Sequence, residues 1–205
     1  MKLILASASR DRRRLMSWLG LPFEAIPSDF DETSVTTDDP EELVAILSEE
    51  KAKKVAVSQT ESLVIGSDTI IVVDGIILGK PKDKKDAIKM LKALSNKTHQ
   101  VYTGVAVINT DTSASLVEVS ESSVTFKELT DQEIKDYINT GEPLSRAGSY
   151  QLLGQARPFI TSFEGSVTGI TGLPMRLLVD MLEESGYPID TNIEPIVIEN
   201  TGFRD

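Results

Sequence analysis

The chain predicts an α/β fold with a mixed, twisted sheet and flanking helices. Two observations predict it. Apolar runs of strand length alternate with helical-period segments along the 205 residues. Hairpin signals require antiparallel strand pairs, while the helical crossovers allow parallel ones.

The elements follow in order. Residues 2–5 are an apolar strand. Leu15, Met16, Trp18 and Leu19 recur at helical spacing, so Ser7-Ala8-Ser9 occupies a strand-to-helix turn. The loop 27–39 is rich in acids and hydroxyls, and a helix follows over 40–57, with Leu43, Ile46, Leu47 and Val55 as its apolar stripe. Residues 63–73 are strand-like, and Asp74-Gly75 signals a hairpin into 76–78. Asp83 caps a helix through Leu94, with Ile88, Leu91 and Leu94 on one side. Two long strands span 100–108 and 116–126, and Thr130 with Glu133 forms a capping box for a helix ending near Gly141. A glycine-rich stretch (141–154), a strand (158–163) and a helix (173–182, closed at Gly186) come next. After a Pro-marked turn, 193–198 reads as a short strand; a loose terminus is the alternative.

Composition excludes several classes. The length suits one domain or two closely packed lobes. There is no cysteine, so disulfides and thiolate metal sites are ruled out, and the single histidine, His99, argues against histidine-based zinc chemistry. No stretch is long and apolar enough to span a membrane. Arg10 to Arg14 follow the first apolar run directly, which is not a signal-peptide pattern, and a cytoplasmic protein is expected. A net charge of −11 argues against nucleic-acid binding.

Against that charge, four arginines fall within residues 10–14. Helix-start N–H groups, two hydroxyls and guanidinium groups together favour an anion at this turn, and phosphate is the natural one; the competing reading is a basic first turn that happens to be exposed. At about 100° per residue, Arg12 shares the side of Leu15, Met16 and Leu19, whereas Arg14 falls nearly opposite. Arg12 therefore faces the cleft and needs an anionic partner, while Arg10 and Arg14 read as surface charges.

Asp68, in Ile65-Gly66-Ser67-Asp68-Thr69, places a carboxylate inside an apolar strand and is the candidate catalytic acid or base. The competing reading is a carboxylate bonded to local backbone at a strand bend. Gly79-Lys80-Pro81 is not a Walker motif, since the glycine spacing is wrong and Pro81 stands in place of the hydroxyl. Lys80 can still serve as a point charge on phosphate, or the tripeptide is an ordinary surface turn. Asp31-Glu32-Thr33 and Glu49-Glu50-Lys51 are acidic places that suit a hard cation such as magnesium, or simply solvated faces.

In order and at about the right spacing, eight segments resemble the Maf family of nucleoside triphosphate pyrophosphatases. They are Ser7-Ala8-Ser9 with Arg12-Arg13, Asp31-Glu32-Thr33, Glu50-Lys51-Ala52, Gly66-Ser67-Asp68-Thr69, Gly79-Lys80-Pro81, Tyr102-Thr103-Gly104, Ala147-Gly148-Ser149-Tyr150 and Gly172-Leu173-Pro174. The resemblance covers about residues 2–186, leaving 187–205 as a C-terminal extension. It implies two lobes around a central nucleotide cleft. It also implies hydrolysis of a nucleoside triphosphate to its monophosphate and pyrophosphate with Mg²⁺ or Mn²⁺, and a homodimer. Asp68 matches the proton acceptor. Ser7, Ser9, Arg12 and Lys80 match phosphate-binding positions, with Arg13 and Lys51 as supports, and Glu32 and Glu50 are the candidate metal ligands.

Three positions separate substrate branches of that family. The dTTP/UTP branch usually has arginine at the place of Asp11, threonine at Thr69 and glutamine at Leu153. The 7-methyl-GTP branch usually has an aromatic residue, glutamine and glutamate there. Only Thr69 agrees with the first branch and nothing agrees with the second; Gln151 and Gln155 flank Leu153, and a small shift would bring one of them into the pocket. The base preference stays open, and a house-cleaning activity on non-standard or pyrimidine nucleotides is expected. The alternative is a non-catalytic nucleotide-binding regulator of cell division.

Overall fold

A computed structural model describes residues 1–205. Its frame is one seven-stranded mixed sheet. The strands are β1 (Lys2–Leu5), β2 (Phe23–Ala25), β3 (Ser62–Val73), β4 (Ile76–Leu78), β5 (Thr98–Asn109), β6 (Ser115–Phe126) and β7 (Ile160–Glu164). They run in the order β2-β1-β3-β5-β6-β7, with β4 hairpinned onto β3. β1 pairs parallel with β2 and β3, and the remaining pairs are antiparallel. The Asp74-Gly75 hairpin forms with both residues at positive φ, 51° and 76°, the geometry of a two-residue turn between twisted strands.

Seven helices flank the sheet: α1 (Arg10–Ser17), α2 (Pro40–Ala56), α3 (Lys84–Leu94), α4 (Asp131–Asn139), α5 (Val167–Thr171), α6 (Met175–Glu184) and α7 (Ile193–Thr201). Asp83 caps α3, and the Thr130–Glu133 capping box opens α4. Short β2 and one-turn α5 carry too little periodicity to be read from the chain alone. The mixed α/β sheet with flanking helices is the expected class.

The expected strand at 193–198 is instead helix α7. Asn192 accepts from the Glu194 N–H as its cap, and Gly202 ends it at φ 78°. Pro195 falls in the first turn, where its missing N–H costs nothing. Ile193 and Val197, one turn apart, join the main core, so this part of the tail is integral to the packing. Farther on, the Asp205 carboxylate accepts from the Ser166 hydroxyl at 2.6 Å and the Thr168 N–H at 3.0 Å, tying the tail to the start of α5.

The two sheet faces are covered differently. Alternation along β3 sends Leu63, Ile65, Ile71 and Val73 into the large core under most helices, while Val64, Ile70 and Val72 face the side that α2 covers. The buried face of α2 is not quite the predicted stripe: Val44, Leu47, Ser48, Lys51, Ala52 and Val55 point inward, while Leu43 and Ile46 lie at its flanks. Small residues are needed there because α2 rests on sheet backbone. A Cβ added to Gly66 would collide with the Ser48 carbonyl, and one added to Gly104 with the Val44 carbonyl.

Gly104→Ala should therefore cost about 2 kcal/mol or more, the scale of overpacking a close contact; chemical denaturation measures it, and an unchanged midpoint would mean α2 is free to lift. His99 gives a second prediction. It is fully buried against Phe126 and bonds Tyr150 Oη at 2.9 Å, and burial pushes its pKa down from 6.5 to about 4. The unfolded chain takes up the proton first as pH falls, so this contribution is complete above pH 6.5 and is lost progressively towards pH 4. The loss amounts to about 3 kcal/mol. His99→Gln should flatten that part of the stability–pH curve, and an unaltered slope would assign it to other groups.

Candidate active site

The turn between β1 and α1 is built for an anion. Ser7 Oγ accepts from the Ser9 N–H at 3.1 Å, and Ser9 Oγ accepts from the Arg12 N–H at 3.4 Å as the cap of α1. Both hydroxyls thus spend acceptor capacity on the loop and keep their protons to donate outward. The Arg10 and Asp11 N–H groups have no intrahelical acceptor. Arg13 braces the turn from outside, donating to the carbonyls of Ala8 at 2.8 Å and Ser9 at 3.4 Å. It is exposed and does not line the cleft, whereas Arg10, read as a surface charge, does line it.

Arg12 lies where the helical phase puts it. Its Nε donates to the Gly172 carbonyl at 2.8 Å and its Nη2 to Thr69 Oγ1 at 3.2 Å, but it makes no ion pair. Burial pushes its pKa down, against the pull of Asp68, Glu32 and Asp11. The guanidinium still stays charged. A charged group held this way, with neutral partners only, is a standing demand for an anion. Thr69 holds it from beneath, itself accepting from Thr103 Oγ1 at 3.0 Å. Lys80 lines the same cleft without an ion-pair partner, on a loop pinned by the Gly148 N–H to the Gly79 carbonyl at 3.0 Å.

Across the cleft, Lys51 reaches from α2 between two carboxylates, Asp68 Oδ1 at 2.5 Å and Glu32 Oε1 at 2.6 Å. Asp68 is thus oriented by a lysine rather than by local backbone. Burial opposes ionisation of Glu32, but the Lys51 hydrogen bond and the charges of Lys51, Lys80 and Arg12 outweigh it and hold its carboxyl below the ordinary value. Glu50 departs from its expected place. It pairs with Lys53 at 2.9 Å outside the cleft, because one residue of helix turns it about 100° from Lys51. No three acidic or histidine side chains form a cluster suited to a metal. Glu32 and Asp68 already converge on one cationic centre, and two hard oxygen donors with room for water and phosphate fit a divalent cation such as magnesium.

The whole cleft has a volume of about 900 Å³. Its wall also holds Asp11, which pairs with Arg146 Nη1 at 2.8 Å and accepts from Gln151 Nε2 at 2.9 Å. Gln151, one of the two glutamines that flank Leu153, is the one that lies in the cleft, whereas Arg146 carries no sequence signal beyond being a cation directly before Ala147-Gly148. Leu153 departs from its expected place in the pocket. Leu152 anchors in the core, and the turn after it carries Leu153 to a separate hollow beside Arg14, Trp18 and Arg157.

These features define an α/β protein whose cleft sets a buried, unpaired arginine at a strand-to-helix turn opposite a lysine-held carboxylate pair. Residues 2–185 match the family described as Maf-like protein, and the chain belongs to that family. It is similar to the dTTP/UTP pyrophosphatase of Symbiobacterium thermophilum, with 43% identity over 93% of this chain and 97% of the relative. It is also similar to the dTTP/UTP pyrophosphatase of Bacillus cytotoxicus, with 43% identity over 89% of this chain and 95% of the relative. The solved HAM1 protein of Coxiella burnetii aligns at 18% identity with a TM-score of 0.42, over 62% of this chain and 73% of that one, a likeness too slight to bear on function.

Replacing Arg12 by methionine removes an unpaired cation, so the melting temperature should move by only a few degrees. Affinity for pyrophosphate should fall by about tenfold to a hundredfold, the scale of lost charged hydrogen bonds. Thermal melts and calorimetric titration read the two effects; full affinity in Arg12→Met would place the anion elsewhere.

Proposed function

We propose that this chain hydrolyses nucleoside triphosphates, pyrimidine nucleotides foremost, to the monophosphate and pyrophosphate. The observation that carries the reading is the pairing, in one cleft, of an unpaired cation at a phosphate turn with a strand carboxylate oriented by Lys51. The activity named for relatives at 43% identity supports it.

In this reading the triphosphate lies along the turn. The Ser7 and Ser9 hydroxyls, the free N–H groups of α1, Arg12 and Lys80 bind its oxygens, and Arg13 keeps the turn in shape. Asp68 accepts the proton of a water positioned in line with the α-phosphorus. The new P–O bond forms as the bridge to the β-phosphate breaks, and Arg12 and Lys80 stabilise the charge that gathers on pyrophosphate. Glu32 and Asp68 would hold a divalent cation, which when bound supplies further charge neutralisation on the phosphates. Lys51 keeps the two carboxylates together and aims Asp68. Glu50 plays no part.

The same reading takes in a homodimer and a cytoplasmic setting, with no nucleic acid or membrane as partner. No helix is long and apolar enough to cross a membrane.

A pyrophosphate-release screen of nucleoside triphosphates with magnesium or manganese tests the proposal. Asp68→Asn should keep nucleotide binding and lose about a hundredfold or more in turnover, the usual range for a missing general base. Undiminished turnover removes Asp68 as the base, and orthophosphate as the first product defeats the pyrophosphatase reading.

A further inference from the structure

Within the cleft, but sharing no hydrogen bond with the Lys51 group, three side chains close a ring. Arg146 Nη1 forms an ion pair with Asp11 Oδ2 at 2.8 Å, Gln151 Nε2 donates to Asp11 Oδ1 at 2.9 Å, and Arg146 Nη2 donates to Gln151 Oε1 at 3.4 Å. Asp11 is buried, and Arg146 Nε is buried without any acceptor. Burying such a pair is a poor way to gain stability, because desolvation offsets most of the attraction. The ring therefore needs another reason to stand in the wall of a ligand cleft.

Its free valences supply one. Each Asp11 oxygen meets a single partner and keeps a free lone pair, Gln151 keeps an amide N–H, and Arg146 keeps guanidinium N–H groups. Because Asp11 stands between an amide and a guanidinium, both of which carry only N–H groups on that side, the sequence across the ring is donor, acceptor, donor. That is the complement of the uracil and thymine edge, where the O4 acceptor, N3–H donor and O2 acceptor follow one another. Cytosine presents an amino donor at position 4 and a lone pair at N3, which would face a carboxylate.

We infer that Asp11, Arg146 and Gln151 read the base, with the Asp11 carboxylate accepting the N3–H of uracil or thymine while Gln151 and Arg146 donate to the flanking carbonyl oxygens. This rests on the pyrophosphatase reading and names its substrate class.

Two measurements on the unaltered protein test it. Turnover of dTTP, dUTP, dCTP and N3-methyl-dTTP should show kcat/KM for dTTP and dUTP about a hundredfold or more above the other two, as for a site left with unpaired polar groups. Titration with dTMP, dCMP and N3-methyl-dTMP reads the same preference without turnover. If dTMP is preferred and no triphosphate is hydrolysed, the base reading stands and the pyrophosphatase reading falls. Equal handling of dTTP and dCTP, or of dTTP and its N3-methyl derivative, overturns the base reading alone. Asp11→Ala should bring the dTMP to N3-methyl-dTMP affinity ratio to about one, as expected when the acceptor is gone. Gln151→Leu, at a half-buried position, should lower the affinity for dTMP by about tenfold while N3-methyl-dTMP changes little; a ratio unchanged in both variants contradicts the assignment.

Discussion

The close seat of α2 on sheet backbone is the constraint on which the site depends. Gly104 lies directly opposite Asp68 in the β3–β5 register, and Gly66 precedes Asp68 on the same face. With no side chains at those two points, the helix comes down far enough for its own carbonyls to touch the strands. Lys51 is on that lowered face, and from there its ammonium reaches Asp68. A helix held at ordinary packing distance by a pair of alanines would lift Lys51 away and leave the strand carboxylate without a partner. Packing and chemistry are thus one arrangement. The part of the α2 interface seated on Gly66 and Gly104 is also the part that sets Lys51 against Asp68.

The opposite side of the cleft follows a different logic. There the sheet supplies Thr69 and Ser67, whose side chains point to the other face from Asp68, and Gly172, which caps the end of α5, supplies the carbonyl that accepts from both Ser67 at 2.9 Å and Arg12 at 2.8 Å. A cation fixed by neutral oxygens is preorganised for an incoming anion and has no internal anion to displace. Lys51, in contrast, is already neutralised by two carboxylates. The cleft therefore sets an unmet positive wall against a satisfied, net negative group. Under the proposed function that asymmetry would orient a polyphosphate, its charge drawn to Arg12 and Lys80 and its reacting phosphorus turned to Asp68.

Much of this was legible in the chain because it rests on local rules. Caps at Asp83 and Thr130, the Asp74-Gly75 turn and the phase of Arg12 each follow from a few adjacent residues, and the structure places all four as those rules require. What was not legible depends on residues far apart in sequence. Glu50 looked as available as Glu32, yet only tertiary packing decides which side of α2 faces the sheet. Asp11 finds Arg146 and Gln151 across some 140 residues, and no spacing rule predicts a partner at that distance. The tail misled for a local reason: a β-branched run in 193–198 outweighed the Asn192 cap and the Gly202 stop that make it a helix.

The central claim is that water, aimed by Asp68, attacks the α-phosphorus of a triphosphate whose leaving group is held at the α1 turn. Hydrolysis in ¹⁸O-water, followed by mass spectrometry of the products, tests this most directly. The account predicts one labelled oxygen in the nucleoside monophosphate and none in the pyrophosphate. Label in the pyrophosphate would mean attack at the β-phosphorus and would contradict the assigned placement of Asp68 against the substrate.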